Sequence, residues 1–324
     1  MSSNNLEEYE TYTFKAEFTD NNSVTKRVDH FISEQMPEYT RSRIGSEESQ
    51  LLVNGKVVKK SKKIKNGDTV TFHCKIIPST EILPQHINLH FLYEDQNVIV
   101  LNKEQGMVVH PAAGNWDGTV ANGLVYYAGS LETGNEKYRP GIVHRLDKDT
   151  SGVMITSKNI SAHEFLSSQF KKRKTKKVYI AIIKGVPLTL KGKIENRIVR
   201  DPGNRKKFCC TVDSDRGKPA NTEYEVLRTF TLKTGVSYSL IRLIPGTGRT
   251  HQLRVHMKSI GHPILGDPIY SRKDTHTLPV SLMLHALSLS IIIPGEITYR
   301  KFTAPLPERF KKTINYFIQS QIQQ

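Results

Sequence analysis

GIVHRLDKDTSGVMI (residues 141–155) sets two apolar runs on either side of a polar loop that carries His144, Arg145, Asp147 and Asp149. An ordinary capped turn accounts for Asp149-Thr150-Ser151-Gly152. It does not account for His144, Arg145 and Asp147 between two buried runs, where charge is costly unless paired or used. Strand-like segments continue on both sides: INLHFLYED (87–95) and NVIVLNK (97–103) before it, then KKVYIAIIKG (176–185), TEYEVLRTF (222–230) and VSYSLIRLI (236–244) after it. Three helices punctuate them. Ser161-x-x-Glu164 is a capping box ahead of Phe165, Leu166 and Phe170. THQLRVHMKSI (250–260) turns Leu253, Met257 and Ile260 inward and stops at Gly261, and Phe310, Ile314, Phe317 and Ile318 make a closing helix. Strands outnumber helices and arrive mostly as hairpins. Residues 87–324 are therefore expected to form one α+β domain on a mixed, largely antiparallel sheet.

Residues 1–80 read as a separate small α+β domain, and 81–86 as a linker. TYTFKAEF (11–18) alternates, placing Tyr12, Phe14, Ala16 and Phe18 on one strand face. Val24, Val28, Phe31, Ile32 and Met36 keep helical spacing up to Pro37, and LLVNGKVV (51–58) turns at Asn54-Gly55. Six lysines lie between Lys56 and Lys65, and Gly67-Asp68 leads into a strand through Val70, Phe72, Cys74 and Ile76. This order resembles the small RNA-binding fold shared by a ribosomal small-subunit protein and tyrosyl-tRNA synthetases. That fold has a second amphipathic helix before the Val-Asn-Gly turn. Here the position holds GSEESQ (45–50), which is short and lacks apolar spacing.

The 324 residues carry 47 Lys and Arg against 31 Asp and Glu, a net charge of +16. Residues 158–218 hold 17 basic and 5 acidic side chains, whereas residues 1–80 are nearly balanced at 12 and 11. Within that block, KKRKTKK (171–177) and NRKK (204–207) make Lys171, Lys172, Arg173, Lys174, Arg205, Lys206 and Lys207 the expected contacts to a phosphate backbone. No apolar run is long enough to span a membrane. The start, MSSNNLEEYE, is polar and acidic, unlike a signal peptide. Cys74, Cys209 and Cys210 form neither a C-x-x-C pair nor a disulfide framework. The expectation is a soluble cytoplasmic monomer with a polyanionic partner, no metal and no small-molecule cofactor.

Two further segments carry candidate residues. Tyr179 shares a strand face with Ala181 and Ile183 and, taken alone, reads as a core tyrosine. PGTGRTHQLRVHM (245–257) fits neither a Walker loop nor a dinucleotide fingerprint. Its helix sets His251, Arg254 and Lys258 in a cationic stripe, commonly a solvated face. HRLDKDTSG, followed about thirty residues later by KKVYIA and then by GRTHQLRVHM with GHPILGD (261–267), is similar in order and spacing to the RluA family of RNA pseudouridine synthases. The resemblance covers roughly residues 85–324. The N-terminal fold is the usual companion in the family's large-subunit ribosomal RNA members. The resemblance implies that Asp147 is the nucleophilic aspartate and Arg254 its basic partner. It implies that Tyr179 packs against the flipped base and that Arg145 enters the RNA stack as the uridine leaves it. It further implies an isomerase acting on RNA without a cofactor, with ribosomal RNA the first choice of substrate and transfer RNA the second.

The chemistry suits these residue types. Pseudouridine formation breaks the bond from ribose to ring nitrogen and remakes it to ring carbon five, with no oxidation or hydrolysis. A carboxylate attacks the ribose or the base, or assists glycal formation, and the sequence leaves these routes open. Desolvation opposes ionisation of Asp147, and an always-charged guanidinium at Arg254 counters it. The target atom is inaccessible in stacked RNA, so the base is extruded and Arg145 can fill the gap. A non-catalytic RNA-binding or ribosome-assembly factor is opposed by the intact Asp147, Tyr179 and Arg254. A zinc-dependent base deaminase is opposed by the missing C-x-x-C. A glycoside hydrolase is opposed by Asp147 and Asp149, which point to opposite faces of an extended segment.

Overall fold

A computed structural model of the chain describes residues 9–18, 25–36, 39, 41, 44–46, 49–75, 82–112, 115–128, 141–204, 207–277 and 279–321. It divides into two compact units, Met1–Thr80 and Glu81–Gln324.

The first unit contains β1 (Tyr9–Lys15), β2 (Lys26–Arg27), α1 (Val28–Gln35), β3 (Ser49–Val53), β4 (Lys56–Val57), β5 (Lys63–Ile64) and β6 (Thr69–Lys75). Its four-stranded sheet has the order β1-β6-β3-β4. Asn54 and Gly55 turn the β3–β4 hairpin with φ of 49° and 76°, the paired left-handed conformations a two-residue loop needs. Val28, Phe31 and Ile32 of α1 pack with Ala16, Val70 and Phe72 of the sheet side. No described residue between Met36 and Ser49 is helical. Val24, Pro37, Ile76 and part of 45–50 lie outside the described residues.

The second unit contains β7 (Phe91–Glu94), β8 (Val98–Lys103), α2 (Val120–Ala128), β9 (Ser151–Ser157), α3 (Ile160–Lys171), β10 (Lys176–Lys184), β11 (Lys191–Arg200), β12 (Phe208–Thr211), β13 (Lys218–Thr231), β14 (Ser237–Pro245), α4 (Gln252–Ser259), β15 (Leu284–Ile291), β16 (Arg300–Thr303) and α5 (Glu308–Ser320). Ten strands form one sheet in the order β12-β11-β13-β14-β10-β15-β9-β8-β7, with β16 beside β15. Among the described residues only β9 and β15 pair in parallel, so the sheet is mixed and largely antiparallel. At that pairing Gly152 has φ of +118°, and a Cβ there would lie 2.2 Å from the Ala286 carbonyl oxygen. Only glycine lets the strand that leaves the Asp147 loop approach β15 so closely.

Two local expectations are corrected. The cap of α3 is Asn159, whose Oδ1 accepts the Ala162 N–H (2.9 Å), not Ser161. Asn serves as well as Ser in that role, and the helix starts two residues earlier. Residues 82–86, read as linker, belong to the second unit: Ile82 is buried, and Asn122 donates to the Leu83 carbonyl (2.9 Å) and accepts the Gln85 N–H (3.2 Å).

Ala181, Ile183, Ile241, Leu243, Met257, Phe310 and Phe317 share the main core. Ile318 of α5 is exposed instead. Two of the buried polar residues are histidines. His256 of α4 bonds Thr222 and Asn196 (2.9 Å each), and His285 of β15 bonds Ser151 (2.9 Å). Burial pushes both imidazoles down to about 4. The unfolded chain therefore binds two protons that the native state refuses between about pH 6.5 and pH 4, and stability falls as pH falls through that window. Moving from pH 7 to pH 5 should cost about 2 kcal/mol per histidine. Denaturant midpoints at the two pH values check this, and equal midpoints would contradict it.

Candidate active site

Two turns make the Asp147 loop rigid. The Thr150 N–H bonds the Asp147 carbonyl (3.0 Å), and the Gly106 N–H bonds that of Lys148 (2.9 Å). Gln105 Nε2 donates to the carbonyls of Asp149 and Leu282 (2.8 and 2.9 Å). Lys103 Nζ spreads three donors over the carbonyls of Glu104, Met107 and Lys148 (2.8, 2.8 and 3.0 Å). Lys103 is 1% exposed. Burial pulls it down to about 7, against the opposing fields of Asp149 and Asp147. Lys103 and Gln105 are invisible in the sequence because Asn-Lys-Glu-Gln-Gly has the composition of a surface turn. Lys103→Met should cost about 3 kcal/mol, since three hydrogen bonds from a buried donor to loop carbonyls are lost, and should slow the reaction with it. Unchanged melting would show that the loop holds itself.

The loop delivers Asp147 to a cleft of about 460 Å³. Arg145, Tyr179 and Arg254 line the same cleft, so the four residues singled out for chemistry meet in one place. Among the described residues lining it, Arg145, Lys171, Arg173, Lys177, Arg249 and Arg254 are cationic and Asp147 is the one acid. Lys172 and Lys174 are exposed outside the cleft, Lys207 is half-buried ahead of β12, and Arg205 and Lys206 lie outside the described residues. Burial, then the charge of Asp147, raise the Tyr179 phenol well above its ordinary value, so the ring carries a neutral hydroxyl.

Arg254 corrects the sequence picture. It is 3% exposed, because Gln252 to Met257 of α4 are all buried, and of the cationic stripe only Lys258 is exposed. Its closest carboxylate is Asp267, reached by Nε (2.7 Å) and Nη2 (2.8 Å) in a bidentate pair. Asp147 Oδ2 lies 3.7 Å from the remaining nitrogen, Nη1. Asp267 also accepts the N–H groups of Ile269 (2.8 Å) and Tyr270 (3.0 Å). Burial alone would raise its pKa, but Arg254 and these donors hold it below the ordinary carboxylate range. Arg254 is thus a cation fixed by one acid and shared with another.

The RNA pseudouridylate synthase family model matches residues 97–259. Ribosomal large subunit pseudouridine synthase D of Borreliella burgdorferi is 45% identical over 314 residues, covering 94% of each chain. The chain belongs to the RNA pseudouridylate synthase family. An RNA pseudouridine synthase of Bacillus subtilis is 38% identical over 292 residues, 90% of this chain and 93% of that one. Among solved structures, human RNA pseudouridylate synthase domain containing 1 aligns with a TM-score of 0.58 at 27% identity, covering 77% of this chain and 94% of that one. The protein is a pseudouridine synthase of the RluA type, an isomerase.

In the synthase, the loop before α4 is built as firmly as the Asp147 loop. Gln252 accepts from Thr247 Oγ1 (2.6 Å) and the Arg249 N–H (3.0 Å) and donates to the Asn221 carbonyl (2.8 Å) and Thr222 Oγ1 (3.0 Å). This tie holds His251 in the left-handed region at φ 55°, ψ 17°, a strained conformation for a non-glycine residue. Tyr270 accepts the Phe208 N–H (2.8 Å) and has its own proton left for His251 Nδ1 (2.9 Å). The neutral imidazole then carries its proton on Nε2, 4.0 Å from Asp147 Oδ2. Burial lowers the His251 pKa against the attraction of Asp147.

Proposed function

We propose that the synthase isomerises a uridine of large-subunit ribosomal RNA, with Asp147 as the nucleophile. The convergence of Arg145 and Asp147 of one loop with Tyr179 of β10 and Arg254 of α4 on one strongly cationic cleft carries the residue roles. The name of the Borreliella burgdorferi relative supports the substrate. Arg145, exposed at the cleft, would fill the place that the extruded nucleotide leaves in the stack. Arg254 would hold the Asp147 carboxylate in place. Lys171 ends α3 and Lys172, Arg173 and Lys174 follow it, where cations are favoured electrostatically, and the four would track the RNA backbone. Residues 1–80 would serve as the RNA-binding domain and 81–324 as the catalytic domain, in a cytoplasmic monomer. No described helix is long and apolar enough to cross a membrane.

Tyr179 would offer its ring to the base and its hydroxyl to the proton that leaves carbon five. Because the hydroxyl is held neutral, it would relay that proton rather than wait as a phenolate. Tyr179→Phe should lower the rate by about 100-fold or more with melting unchanged. A rate near wild type would leave Tyr179 a stacking role alone. Carbodiimide primer extension on ribosomal RNA from a strain lacking the gene, against its parent, tests the substrate. One lost stop in large-subunit RNA is expected, and an unchanged map would overturn this choice.

A further inference from the structure

Lys177 stands apart from the basic block that precedes it. Lys171, Lys172, Arg173 and Lys174 are exposed, whereas Lys177 is half-buried. It sits two residues before Tyr179 on β10, so the two side chains leave the same face of the strand. Both line the cleft with Asp147 and His144. Among the described residues, its ammonium has no hydrogen-bond or ion-pair partner. The facing backbone at Gly248 carries no side chain, and a Cβ there would sit 3.8 Å from Lys177 Nζ, an ordinary contact distance. Its other neighbour offers no acceptor for it. His144 Nε2 accepts the Ile155 N–H (3.0 Å), which puts the ring proton on Nδ1, and burial followed by the charge of Lys177 drives that imidazole down to about 3. Burial, then Arg173, also lower Lys177 itself. With no partner among the described residues, the half-buried ammonium keeps its donors for a group that enters the cleft.

The reaction supplies such a group. When the N1–C1′ bond breaks, its electron pair leaves with the base, whose charge spreads over N1, O2 and O4. The base then turns over so that carbon five faces C1′. A half-turn about the N3–C6 axis exchanges N1 with C5 and also O4 with O2. One fixed donor therefore meets a carbonyl oxygen before and after the turn. Bond formation at carbon five and loss of its proton return the electrons to the ring, N1 regains a proton, and the donor is unchanged. An ammonium only donates, so it fits uracil in both orientations. Cytosine would present an amino group in one of them.

We propose that Lys177 is a catalytic residue that donates to a uracil carbonyl and stabilises the detached uracil anion while it turns. The proposal rests on the reading of this cleft as the uridine site. Single-turnover rates with saturating enzyme, measured on one RNA carrying uridine or 5-fluorouridine at the target, test it. Fluorine makes the departing base a better anion and so less dependent on the donor. Lys177→Met should slow uridine by about 100-fold or more, with RNA affinity within about threefold because the loss lies in the transition state. On 5-fluorouridine the deficit in N1–C1′ cleavage should shrink by about tenfold. Lys177→Arg, which keeps the charge, should retain at least about a tenth of the wild-type rate. It carries the test if the Met variant melts early, and a loss as deep as that of Asp147→Asn would overturn the proposal. An unchanged saturated rate with a salt slope smaller by about 0.7 would make Lys177 a phosphate contact. Equal deficits on the two bases would make it structural. Asp147→Asn run in parallel separates the two readings, since retained activity there removes the site itself.

Discussion

Asp147→Asn should lower the single-turnover rate of pseudouridine formation by about 10⁴-fold or more, as expected for loss of a nucleophile. RNA affinity should stay within about threefold, because binding rests on the cationic lining and not on this carboxylate. The substitution is nearly isosteric, and the loop is clamped through backbone carbonyls by Lys103, Gln105 and Gly106, so the fold should persist. Asp149→Asn is the control. The clamp grips Asp149 by its main-chain carbonyl, which the substitution keeps, and the Asp149 side chain does not line the cleft. Turnover by the Asp147 variant near the wild-type rate would remove the assignment.

The largest stability effect should come from the pair beneath Asp147. Asp267→Asn leaves the Arg254 guanidinium buried without its bidentate partner, at a cost of about 3–5 kcal/mol. Arg254→Met should cost a similar amount by stranding Asp267. The double variant Arg254→Met/Asp267→Leu, which strands neither charge, should melt well above the sum of the two losses. Asp267 lies outside the cleft lining, yet its loss should also slow catalysis, because Arg254 Nη1 would no longer be held 3.7 Å from Asp147. The depressed pKa of Asp267 contributes stability that is present above the ordinary carboxylate pKa and is lost as pH falls through its lowered native value. Additive losses in the double variant would show that the two residues are energetically independent.

The parts of this architecture that were legible in the sequence are local in origin. The Asp147 loop announces itself by charge between apolar runs and the hairpin at Asn54-Gly55 by turn chemistry, whereas strand alternation places Tyr179 on a core face and only the family resemblance gives it a role. What was not legible depends on residues far apart in the chain. Asp267 ends Gly-His-Pro-Ile-Leu-Gly-Asp and looks like a turn acid until α4 packs Arg254 against it. Arg254 looks like part of a solvated stripe because helical periodicity cannot show that neighbouring elements bury α4 from Gln252 to Met257. Lys103 becomes a buried tie only when three carbonyls, one of them 45 residues away at Lys148, converge on it. The order of the ten strands, and the parallel β9–β15 contact that demands Gly152, are likewise set by non-local pairing.

The account is tested most directly by incubating the full chain with a large-subunit ribosomal RNA transcript tritiated at uracil carbon five. Released tritium, pseudouridine and free uracil are then counted in the same samples. Isomerisation within the cleft predicts one tritium released for each pseudouridine formed, no free uracil, and neither product from the Asp147→Asn chain. Free uracil without pseudouridine, or equal yields from the Asp147→Asn chain, would contradict it.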